Sequence, residues 1–198
     1  MECERLAVEL PPFSRRALPA ARLTQSLAKA HHMPLKLSPE ITAAIAPLLE
    51  KLPLNQAISQ LVVTRGADKD LVALVARIVA LPALTSQPLL CAGLWLYVDD
   101  LDRSHVISQG IENSTGSFWH GIMHRREGDF WNSHYWFRRV GNHPAMKLIE
   151  GYDGHAFIDA VEAAHGRGEA PAALIEMQRR EWAVLMTWCA RLSESSNR

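Results

Sequence analysis

Asp100-Leu101-Asp102-Arg103-Ser104-His105 returns twenty-nine residues later as Asp129-Phe130-Trp131-Asn132-Ser133-His134. The correspondence runs on to Ile107 over Trp136 and Ile111 over Val140. Each copy opens on an acid able to cap a helix, since a short carboxylate accepts the N–H groups that the first helical turn leaves unbonded. Each copy also follows another helical stretch and carries a small residue, Ser104 or Ser133, where two helices can approach closely. That is the layout of stacked helical hairpins.

Working outward, helical signals fill the rest of the chain. Ser38-Pro39 offers a capping hydroxyl and then proline at the first helical position. Ile41, Ile45, Leu48, Leu49 and Leu52 follow on one helical face. Leu54, Ala57, Ile58, Leu61 and Val62 form a second stripe, which predicts a second helix closed by Gly66. Asp68 caps a third helix through Leu71, Leu74, Val75 and Ile78, and Ser86 with Pro88 opens a fourth. Shorter helices are expected near 117–126, 130–140 and 155–165, and a long one near 171–191. Alternating strand patterns are scarce. The expected fold is all-α: one domain over residues 21–192 of stacked antiparallel hairpins, about eight helices in all. An extended arm is expected over residues 1–20 and a frayed tail over 193–198.

Composition narrows the function classes. The 198 residues are 48% hydrophobic and 21% charged, the ordinary globular range. Lysines and arginines number 21 and so do the acids, so the net charge is zero and a broad nucleic-acid surface is not expected. No apolar run approaches the ~18 residues a membrane span needs. The acidic start, MECERLAVELPPF, is unlike a secretory signal, which predicts a cytoplasmic protein and gives the Asn113-Ser114-Thr115 sequon no role. Cys3, Cys91 and Cys189 are too few and too far apart for a disulfide framework, and the last two read as core residues.

The chemistry is concentrated in residues 95–157, which hold eleven of the fourteen aromatic residues and six of the nine histidines. His120 and His124 are four apart, so on a helix both imidazoles share one face and can bind one metal. Chance alone supplies roughly 0.4 such pairs in a chain of this composition, so the spacing needs support from elsewhere. Asp102 and His105 offer it, three apart on one helical face. If the hairpins pack side by side, His105, His120 and His124 converge, with Asp102 as a fourth donor. The alternative is a polar core of hydrogen-bonded histidines. Imidazole and carboxylate donors without a thiolate cluster suit a divalent transition metal such as zinc or iron. Glu127, three after His124, is a candidate base or an arginine partner, and His124 itself could serve as general base without a metal.

Two arginine pairs bracket a turn: Arg125-Arg126 and Arg138-Arg139. A guanidinium presents a planar fork that suits carboxylate or phosphate. Adjacent residues on a helix point about 100° apart, so one of each pair is expected to face inward. The arginines could clamp an anion, with Trp119, Tyr135 and Trp136 stacking on a ligand, or they could pair with Asp99, Asp100, Asp102, Glu127 and Asp129. Arg179, Arg180 and Glu181 read as a solvated face, and His31-His32 as a helix end.

Two resemblances follow from these residues. Gly121, Ser133, Phe137 and Pro144 resemble the small and aromatic positions of a tetratricopeptide unit, with His120 where that family has an apolar residue. The resemblance implies helical hairpins and an interaction module, over about a third of the chain. The run FWHGIMHRREGDF with YWFRRVGNHP resembles a block found in a group of uncharacterised microbial proteins, over roughly residues 92–150. It implies no activity. Taken together, the residues point first to a helical protein that binds a small, anionic ligand in a pocket of histidines, arginines and rings. A metal-dependent hydrolase or oxidoreductase is the second reading, and an interaction or homo-oligomerising module the third.

Overall fold

A computed structural model describes residues 35–196, with side chains as far as Ser193. The N-terminal arm, Cys3 and His31-His32 lie outside the described residues. Eight α-helices follow one another: α1 Pro39–Lys51, α2 Lys69–Val79, α3 Pro88–Tyr97, α4 Leu101–Gln109, α5 Ser114–Glu127, α6 Phe130–Val140, α7 Gly154–Gly166 and α8 Ala172–Ser196. A 3₁₀ turn, Pro144–Leu148, sits between α6 and α7. The described residues contain no strand. Every helix packs against the next one in sequence, which makes the molecule a stack of hairpins. None is long and apolar enough to cross a membrane.

The caps do what their side chains suggest. Ser38, Asp68, Asp100, Asp129 and Asp153 each accept a first-turn N–H of the helix that follows. Asn113 does the same for α5, which therefore starts at Ser114, ahead of the expected 117–126. The fourth expected start shifts as well: Gln87, not Ser86, precedes α3 and makes no side-chain cap. α8 continues to Ser196, past the point where fraying was expected.

The internal echo is also visible in three dimensions. Ser104 and Ser133 are both fully buried. Ser133 Oγ donates to the Gly121 carbonyl at 2.8 Å, which closes α6 onto α5. A Cβ on Gly121 would stand 2.6 Å from Phe137 Cδ2, so only glycine allows this approach.

The expected helix over 54–66 is absent. Residues 53–66 form a chain of turns in which Ile58 has φ 51°. Distant side chains take the carbonyls that a helix would have used. Gln178 Nε2 donates to Ile58 and Gln60 oxygens, Arg179 Nε to the Ala57 oxygen, and Arg126 to the Gln60 oxygen. The Val63 N–H donates to the Arg126 carbonyl at 2.7 Å. The apolar residues still turn inward, with Ala57, Ile58 and Leu61 buried, so the pattern reports burial correctly and period wrongly.

Two helices occupy the centre. α3 is apolar and buried along its whole length from Leu90 to Tyr97, and Trp182 of α8 donates its indole N–H to the Gly93 carbonyl at 2.7 Å. α5 is buried from Thr115 to Arg126 on every side, yet it carries two histidines and two arginines. A helix buried all round is normally apolar all round. The polar groups of α5 therefore need partners, and those partners define the site.

Candidate metal centre

α5 presents His120 and His124 one turn apart, and α4, packed alongside, brings in His105. One ring nitrogen from each of the three lies within 4.8 Å of the others. His120 Nε2 and His124 Nε2 are 3.0 Å apart. Two nitrogens each about 2.1 Å from one ion stand roughly 3.0–3.4 Å apart, so this spacing fits joint ligation. The His105 ring meets both others edge-on, at centroid distances of 4.7 and 5.3 Å. His120 and His124 are buried and His105 is half-buried, so the cluster opens to solvent on the α4 side.

The outer groups fix these rings. His124 Nδ1 lies 3.1 Å from Glu127 Oε2. An ionised carboxylate accepts from an N–H, which puts the His124 proton on Nδ1 and leaves Nε2 with a bare lone pair toward His120. This is the outer-carboxylate arrangement that orients metal-binding histidines. Glu127 is thus engaged by His124 in this geometry. Trp136 of α6 stacks on His120 at 4.0 Å and 20°. His120 Nδ1 is buried without a hydrogen-bond partner. Burial, reinforced by the neighbouring His124 and His105, lowers the His120 pKa to about 3, so its ring stays neutral and able to ligate. Burial lowers His124 too, against the opposing pull of Glu127.

Asp102 is not in the group. It is exposed on α4, and among the described residues no carboxylate joins the three imidazoles. Trp119 is fully buried in the core and lines no open surface.

The four arginines divide by helix. Arg125 and Arg126 are both buried, although neighbours on a helix diverge; α5 is surrounded, so there is protein in both directions. Arg125 makes a two-pronged ion pair with Glu181, at 3.0 and 2.5 Å, and Tyr152 donates its hydroxyl to the same carboxylate. Burial, then the charge of Glu181, raises the Tyr152 pKa well above its ordinary value, so the phenol keeps its proton and remains a donor. Glu181 is thus buried, and the solvated face expected around it is instead the inner wall of α8. Arg126 pairs with Asp99 at 2.5 Å and donates to the Leu96 carbonyl at 2.7 Å. Asp99 is held at φ 63°, a left-handed backbone that non-glycine residues seldom adopt. Both arginines are engaged by protein groups. Arg138 and Arg139 are exposed on α6 and lie over rings, Arg138 at 5.8 Å from Tyr135 and Arg139 at 5.2 Å from Trp136.

Sequence reasoning missed Glu181, whose position 56 residues from Arg125 gives no local signal. It also missed His134, which lies between His155 Nδ1, at 2.8 Å, and Asp159, at 3.0 Å. The parallel rings of that pair are 5.1 Å apart and 4° from coplanar, the geometry of a head-on N–H to N hydrogen bond. The His120–His124 rings are tilted by 31° with centroids 4.8 Å apart, so their nitrogens meet at a bend rather than head-on.

No protein-family model matches this chain, and no curated protein or solved structure is significantly similar to it.

Proposed function

We propose that the protein holds one divalent transition metal on His105, His120 and His124 and uses it for metal-assisted hydrolysis of a small molecule. The observation that carries this reading is the convergence of three imidazole nitrogens within 4.8 Å in the interior of a helical stack. Three imidazoles in a cluster that reaches solvent resemble the ligand set of catalytic zinc, which would lower the pKa of a bound water to near neutrality. Zinc suits a set of three imidazoles, the donors that the described residues bring together. Glu127 supports the centre by holding the His124 tautomer, and Trp136 by fixing the plane of the His120 ring. A ligand pocket built on four arginines is the weaker reading, because Arg125 and Arg126 already serve Glu181 and Asp99.

The test is elemental mass spectrometry on untagged protein purified without chelator, beside His120→Ala/His124→Ala. Near one equivalent of a transition metal in the parent, lost in a double variant that still folds, is the expected result. A parent that stays metal-free after reconstitution would sink the proposal and leave the histidines as a polar core.

A further inference from the structure

The face of α6 beside the centre carries features that packing does not explain. Trp131 is 72% exposed and stacks on Tyr135, 38% exposed, at 6.4 Å and 11°. Tyr135 meets Trp136 edge-on at 5.5 Å, and Trp136 stacks on the His120 imidazole. A continuous run of rings thus leads from a proposed metal ligand out to solvent. With His120 on one face of Trp136, the other is left for the Arg139 guanidinium.

The charges beside this run are uncompensated. Among the described residues, Arg125 and Arg126 have carboxylate partners, whereas no ion pair involves Arg138 or Arg139. A ring under a guanidinium holds its plane without using its N–H groups, so the donor fork stays free for an oxyanion. A merely solvated face would account for the arginines. It would not account for an exposed tryptophan in parallel stack with a tyrosine beside them, which is a recognition surface in need of a flat partner.

We infer that this face of α6 binds the outer end of the substrate: a planar ring stacks on Trp131 and Tyr135, and an oxyanion is held by Arg138 and Arg139. The substrate class is therefore a ring-bearing phosphate or carboxylate, small enough to reach from α6 to the three-histidine centre. The inference rests on the metal-centre reading for what the substrate is used for, but the binding surface is testable by itself.

Calorimetric titration of the full chain compares adenosine 5′-monophosphate, which has ring and anion, with adenosine and with ribose 5-phosphate, which have one each. The mononucleotide is expected to bind about tenfold tighter than either, and Trp131→Ala to weaken it about tenfold. Arg139→Ala is expected to weaken it by about as much again, as the loss of a charge-assisted hydrogen bond. Both side chains are exposed, so thermal melts and metal content should match the parent. Equal binding of mononucleotide and adenosine, or binding that ignores both substitutions, would overturn the inference. Binding that persists in a protein found to hold no metal would support this surface while removing the metal centre. A metal-loaded protein that does not bind the mononucleotide would do the reverse.

Discussion

Glu127 shows how much one exposed carboxylate can determine. It touches no proposed open position, yet it sets which nitrogen of His124 carries the proton. Glu127→Gln keeps the shape and removes the charge, and its expected effect is about a 10- to 100-fold loss of metal affinity with little change in fold. Competition against a chelating dye reads this directly; unchanged affinity would mean that Glu127 is only a helix-end neighbour. The buried histidines also set an acid limit. His120 is lowered from 6.5 to about 3 and His143 is lowered as well, in both cases chiefly by burial. A depressed folded-state pKa means that the unfolded chain binds more protons below pH 6.5. Stability is therefore full above that value and falls as the pH drops toward 3. Denaturant melts of metal-free protein between pH 7 and 4 should show a falling midpoint, and a flat profile would contradict neutral, buried rings.

At the scale of elements, α5 is the unusual one, a polar helix in the place of an apolar one. Its two arginines are tolerated because Glu181 of α8 and Asp99, just past α3, reach them. Glu181→Gln leaves the Arg125 charge buried and unpaired, with an expected cost of about 3–5 kcal/mol in the unfolding free energy from denaturant titration. Arg125→Met with Glu181→Leu should recover most of that loss, since the pair costs desolvation as well as providing attraction. The elements that were legible in the sequence are those with local punctuation: Ser38, Asp68, Asp100 and Asp129 mark their helices correctly. The segment after Pro53 was not, because its helical spacing is genuine but its carbonyls are claimed by Gln178, Arg179 and Arg126. The candidate site divides in the same way. His120 and His124 show in the i, i+4 spacing, and His105 through the echoed hairpin. Asp102 has the same kind of spacing and still points away, because helix rotation is set by packing that spacing does not record.

Across the whole molecule, the hairpins are mostly local, each helix lying on the next. Long-range hydrogen bonds tie several elements to α8, and the turns at 53–66 are joined to it between residues 118 to 122 positions apart. A growing chain makes its early helices long before Gln178 and Arg179 exist. Until α8 emerges from the ribosome, the Ala57 and Ile58 carbonyls lack the Arg179 and Gln178 donors that they bond in the folded chain. This turn segment is therefore completed only when the last helix arrives. During synthesis this stretch would be the place where a chaperone binds or a protease cuts.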